Sequence, residues 1–189
     1  MVGKIAKEAP PNKRVRILFQ DESRFGRINE ERRSWSPANI RAEVATQVVR
    51  EFIYAVAAVS PLDGLISSLV LPWVNTTMMS IFLNHTAMQF SDDFNIMFLD
   101  GAGWHKSNDL RVPENIRLVF LPPYSPELNP AESVWEHLRE NSFGNRPFET
   151  LDEVEEVLCA GLKKLHDNPL IVKSLTCYKW INTISLTSN

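Results

Sequence analysis

A mixed α/β layered fold is predicted by three observations. Short apolar runs rich in β-branched residues recur along the chain, helical stretches with capping residues fall between them, and the breaks carry turn chemistry. The 189 residues are 44% hydrophobic and 23% charged, which suits one domain with its own core. Residues 1–13 show no sustained periodicity and read as a tail or the end of a linker, so the domain is expected to span 14–189.

Val15, Ile17 and Phe19 alternate with Arg16, Leu18 and Gln20, which predicts a strand that puts Asp21 on the apolar face. A short strand is expected around Arg33 to Ser36, and Phe52 to Val59 is an apolar run suited to a central strand. Ser60-Pro61-Leu62-Asp63-Gly64 is a turn into Leu65 to Leu71, giving a hairpin. Asn75 or Thr76 caps a helix through about Phe90, with Met78, Ile81, Phe82, His85 and Met88 at helical spacing. Phe94, Ile96 and Phe98 alternate toward Asp100, so a second strand is expected to end in aspartate. Ile116 to Leu121 is another strand, followed by a proline-rich loop. Pro130 suits the first turn of a helix through about Glu140, and Thr150 with Glu153 forms a capping box for a helical carboxy-terminal part.

Neither long apolar stretch, around 52–59 and 65–74, is long enough to span a bilayer, and no charged leader precedes a signal core. Cys159 and Cys177 lack CxxC spacing and read as reduced thiols, so a cytoplasmic chain without a membrane partner is expected. The net charge of −3 hides an asymmetry: residues 1–50 carry 11 Lys/Arg against 6 Asp/Glu, and residues 51–150 carry 5 against 12. A basic surface beside an acidic centre suits phosphate contact next to metal binding, although charge alone is better served by ordinary solvated scatter.

An aspartate at the end of a strand is, taken singly, usually a turn or cap residue. Two such acids brought together repel by roughly 4 kcal/mol at 4 Å and an effective dielectric of 20, so a cluster of them needs cations or protons to persist. Hard carboxylate oxygens are the ligands that Mg²⁺ prefers, and two such ions both activate an oxygen nucleophile and neutralise an attacked phosphate.

The run Phe98–Lys106 (FLDGAGWHK) and the run Leu121–Glu132 (LPPYSPELNPAE) together resemble the DDE transposases of the mariner-like superfamily, in particular the bacterial insertion-sequence branch. Phe19 to Ser23 resembles the first acidic element of that family, and Arg33-x-Trp35-x-Pro37 the short segment after it, so the resemblance spans about residues 14–145. It implies an RNase H-like mixed sheet flanked by helices, with Asp21, Asp100 and Glu132 as the catalytic, metal-binding triad. It further implies Mg²⁺, with Mn²⁺ as substitute and two ions when DNA is bound. The activity implied is hydrolytic cutting of transposon ends, followed by attack of the freed 3′-hydroxyl on target DNA, carried out by a homodimer that pairs two ends near the nucleoid.

The resemblance is imperfect at two points. Only 31 residues separate Asp100 from Glu132, fewer than is usual in the family, and Glu136, one turn further on the same helical face, would meet the longer spacing. Motif favours Glu132 because Asn129-Pro130 sets where the helix begins. Ala38-Asn39-Ile40 also stand where the family has a glycine. The helix-turn-helix region that recognises the inverted repeats in such transposases is expected to be absent here and to be supplied, if at all, by an upstream polypeptide. A metal-dependent nuclease on the same fold and an inactive DNA-binding or regulatory remnant are the competing readings.

Arg24, Arg27, His105 and Lys106 are candidate DNA contacts, as are Arg14, Arg32 and Arg33, against the default of solvated cations. His105 is equally suited to ordering the loop after Asp100. Glu22, on the opposite face from Asp21, and Asn129, before the third acid, are read as supporting residues that orient the triad. Trp135 is read as core packing that holds the helix of the third acid.

Overall fold

The computed structural model describes residues 2–28, 36–39, 48–123 and 125–181. The elements are α1 (Val2–Ala6), β1 (Arg14–Gly26), β2 (Phe52–Ser60), β3 (Leu65–Leu71), α2 (Thr76–Gln89), β4 (Asp93–Leu99), β5 (Ile116–Phe120), α3 (Glu132–Leu138), α4 (Leu151–His166) and α5 (Pro169–Thr176). Residues 33–35 of the expected second strand, with Arg32, lie outside the described residues.

The strands form one sheet in the order β3-β2-β1-β4-β5, antiparallel across β3-β2-β1 and parallel across β1-β4-β5. Its two faces are both covered. Ile17, Phe19, Ile96 and Phe98 face a layer containing Trp135, Leu138, Val154, Leu158 and Val172 from α3, α4 and α5. Leu18, Met97 and Leu99 face the opposite way, onto Met79, Phe82 and Leu83 of α2. A central strand covered on both faces has no polar side, which is why Leu18 and all of β4 are buried despite the alternation seen in the sequence.

Further sequence expectations are corrected. Residues 2–6 form a short helix instead of a tail, with Ala6 buried and Val2 and Ile5 packed on the core. In α2 the inward face is Met79, Phe82, Leu83, Thr86 and Ala87, while Ile81 and Met88 are exposed; apolar residues surround the helix, so spacing alone does not select a face. β1 does not end at Asp21 but runs on to Gly26, because β2 continues to pair with it through Gly26–Phe52. Asn75 and Thr150 cap as expected, but Glu153 does not close a capping box on Thr150, its Oε2 accepting the Glu149 N–H at 3.0 Å instead. Asn75 accepts the Met78 N–H at 2.9 Å, and Thr150 accepts the Glu153 N–H at 3.2 Å.

At the end of the sheet remote from Asp21, Arg16 is buried with its guanidinium on Asp93 (2.6 Å), Asp63 (2.6 Å) and Ser60 (3.1 Å). This network joins β1 and β4 to the β2–β3 turn. In that turn Gly64 has φ 76°, and a Cβ there would collide with the Pro169 carbonyl of α5. Gly64→Ala therefore meets both a left-handed backbone and an immovable backbone neighbour, and is expected to cost about 2 kcal/mol or more in urea unfolding; an unchanged midpoint would contradict this packing.

Candidate active site

The parallel ladder of β1 and β4 is in register at Phe19–Phe98, so its continuation brings Asp21 opposite Asp100, the residue that follows β4. Asp21 has the parity of Ile17 and Phe19 and faces the α3 layer. There the indole Nε1–H of Trp135 donates to Asp21 Oδ2 at 2.8 Å. Trp135 is fully buried and stands edge-on to Phe25, with ring centroids 6.2 Å apart. One residue earlier on β1, the Gln20 carbonyl accepts from Asn129 Nδ2 at 2.9 Å, while Asn129 Oδ1 accepts the Ala131 N–H at 3.3 Å. Buried Asn129 thus makes the turn before α3 and ties it to the strand that bears Asp21.

Glu132 opens α3, exposed, one turn before Trp135. Burial, and then the charge of Glu132, push the Asp21 carboxyl up from its ordinary 3.8 to about 8, against the opposing pull of the Trp135 hydrogen bond. The Glu132 charge is therefore close enough to oppose the ionisation of Asp21.

Asp100 is held separately. Its Oδ1 accepts the Ala102 N–H at 3.0 Å and lies 2.9 Å from His105 Nδ1, whose proton the carboxylate requires to be on that nitrogen. His105 is buried, and its Nε2 faces Glu22 Oε2 at 3.7 Å. Glu22 lies on the α2 side of β1, as its parity demands, and accepts from Gln20 Nε2 at 3.0 Å. Burial raises the Glu22 carboxyl above its usual range, with His105 pulling the other way. Asp21 is thus opposed by Glu132 and, more weakly, by Glu22, while Asp100 is bound by His105, whose far nitrogen faces Glu22. Among the described residues no three His, Cys, Asp or Glu side chains stand close enough to hold a metal ion as they are.

The candidate DNA contacts divide. Lys106 is exposed, its ammonium 5.3 Å from the Phe120 ring and so close to Gly101 that a Cβ there would meet Nζ at 2.6 Å. Arg24 is exposed and stacks on Phe52 at 4.3 Å. Arg27 is instead engaged by Glu51 (2.8 Å) and the Phe148 carbonyl (3.2 Å), and Arg14 binds Asp93 at the far end of β1. His105 is too buried to meet a phosphate and orders the Asp100 loop instead. Two residues here were not singled out for the site by sequence reasoning: Trp135 in its bond to Asp21, and Arg139, which donates to Ser23 Oγ at 2.5 Å beside it.

A mixed five-stranded sheet whose central parallel pair brings two aspartates to one end, with a third acid on the helix docked there, has the RNase H-like architecture. Residues 16–155 match the family described as DDE superfamily endonuclease. The chain is 41% identical over 128 residues to the uncharacterized protein y4pE/y4sA of Sinorhizobium fredii (strain NBRC 101917 / NGR234), an alignment covering 67% of this chain and 95% of that protein. In fold it is similar to the Mos1 transposase paired-end complex with left transposon end, with a TM-score of 0.58 and 15% identity, covering 94% of this chain. It is similar also to the Mos1 mariner paired end complex with Mn, with a TM-score of 0.58 and 18% identity over 86% of this chain and 56% of that one. The chain spans 60% of the length of the first Mos1 chain. It belongs to the DDE superfamily endonucleases.

The raised Asp21 carboxyl has a measurable consequence without metal. Folded, it keeps its proton up to about pH 8, whereas unfolded it loses it near 3.8, so its contribution to stability is complete at low pH and is lost as pH rises toward 8. In EDTA the wild type is expected to lose stability between about pH 5 and pH 8. Asp21→Asn should flatten that slope and be more stable at pH 8, by on the order of 2 kcal/mol in urea unfolding; parallel pH profiles for the two proteins would refute the burial of this carboxyl beside Glu132.

Proposed function

We propose that this chain is the catalytic domain of a metal-dependent DNA transposase that cuts transposon ends by hydrolysis and joins the freed 3′-hydroxyl to target DNA. The observation that carries this reading is that the β1–β4 register delivers Asp21 and Asp100 to one end of the sheet, where α3, opening on Glu132, is docked on Asp21 through Trp135. Burying one carboxyl against a second is unfavourable for folding and purposeful for binding a cation.

The donor set fits a hard divalent ion such as Mg²⁺ or Mn²⁺, since all three acids offer oxygen only. Asp21, Glu132 and Asp100 would hold it, with Asp100 leaving His105 to do so. When bound, such ions supply charge neutralisation at a phosphodiester and a nucleophile usable at neutral pH. The protein's own residues do the rest. Asn129 and the buried indole of Trp135 keep the acid-bearing helix on β1, His105 and Glu22 order the Asp100 loop, and exposed Lys106 and Arg24 contact the DNA backbone. The Mos1 complexes named above hold paired ends, and by analogy this domain works as a homodimer that synapses two ends, with a helix-turn-helix polypeptide supplying end recognition and the nucleoid as its place of action.

Calorimetric titration of Mn²⁺ tests this directly. Asp21→Asn and Glu132→Gln are each expected to weaken binding by at least about tenfold, Asp100→Asn to weaken it as well, and Glu136→Gln to leave it unchanged. Loss of binding in Glu136→Gln but not in Glu132→Gln would move the third acid one turn along α3, and a wild type that binds no Mn²⁺ would favour the inactive remnant.

A further inference from the structure

Two hydrogen bonds join the α3 segment to adjacent residues of β1: Asn129 to the Gln20 carbonyl at 2.9 Å, and Trp135 to the Asp21 carboxylate at 2.8 Å. They differ in kind. The first binds backbone and is a structural tie; the second ends on the side chain of a proposed metal ligand. The indole donating it is fully buried, wedged beside Phe25 and shielded from water, so it has one orientation and one partner. Trp135 also lies three residues after Glu132, nearly one helical turn away, so that the side chain anchoring Asp21 and the side chain opposing it rise from the same short helix.

We propose that Trp135 is a positioning residue of the site, whose indole N–H holds one oxygen of Asp21 so that the other is presented, together with Glu132, to a divalent cation. This rests on the function proposed above and adds to it a residue that carries no ligating atom. An indole N–H is donor only, so it selects the carboxylate as acceptor and cannot itself compete for the ion. Losing a hydrogen-bonded partner behind a ligand typically costs about 10- to 100-fold in metal affinity. Phenylalanine keeps an aromatic packing surface within the space of tryptophan, at the cost of a small void, but has no N–H.

The chain holds five tryptophans, so a ¹H–¹⁵N spectrum of the whole protein offers few indole signals, and the one absent from Trp135→Phe is that of Trp135. In the metal-free wild type this signal is expected to move when Asp21 is changed to Asn. Under Mg²⁺ titration of the wild type it should shift saturably, and Trp135→Phe should bind Mg²⁺ about tenfold more weakly. If Mg²⁺ binds through Asp21 while the Trp135 signal stays fixed, or if Trp135→Phe binds as tightly as the wild type, the indole is packing only and the inference is overturned while the proposed function stands. Should the wild type bind no Mg²⁺, that function fails and the inference falls with it. Where Trp135→Phe does not fold, the wild-type titration decides, the Trp135 signal then being assigned by elimination, with the other four tryptophans changed to Phe one at a time.

Discussion

The parallel pairing of β1 with β4 sets where the two aspartates stand. Its register runs from Arg14–Asp93 to Phe19–Phe98, and nothing beyond that register is needed to carry Asp21 and Asp100 to the same end of the sheet. The pairing is locked at its far end by Arg16, which joins Asp93, Asp63 and Ser60, so a slip of one residue would break a buried ion-pair network and turn Asp21 to the α2 face. At its near end β1 is free to continue alongside β2, and this extension offers α3 a surface on which to dock. Hence the acid on α3 is as well placed as those on the strands, although it is far from both in the chain.

This arrangement keeps acids of like charge near one another at the expense of stability. Asp21 is half-buried facing a second carboxylate and retains its proton to about pH 8, while Asp100 is occupied by His105 and the Ala102 amide. One half of the proposed triad is thus satisfied by a proton and the Trp135 N–H, the other by His105 and the Ala102 amide. A cation would release the proton from one half and compete with the imidazole in the other, so binding of the metal and assembly of the triad are one event.

Much of this was legible in the sequence, and the illegible parts have physical causes. Strands leading to Asp21 and Asp100 follow from apolar alternation, and the Leu121–Glu132 run marks the entry to α3. The extension of β1 past Asp21 is hidden because Glu22, Ser23 and Arg24 read as a polar loop until β2 is known to pair with them. The inward face of α2 is hidden because apolar side chains surround that helix. Arg14 resembles a phosphate contact until Asp93, 79 residues away, is seen to hold it. Trp135 could be read as core, and it is; its bond to Asp21 spans 114 residues, a distance at which no local pattern speaks. Long-range polar pairs, in short, escaped a reading built on periodicity and motif.

Anomalous scattering from a crystal of the protein soaked in Mn²⁺ would test the central claim most directly. The account predicts a peak contacted by oxygens of Asp21 and Glu132, with Asp100 turned from His105 to join them. A peak bound elsewhere, or one ligated through Glu136 with Asp21 still protonated against Trp135, would contradict it.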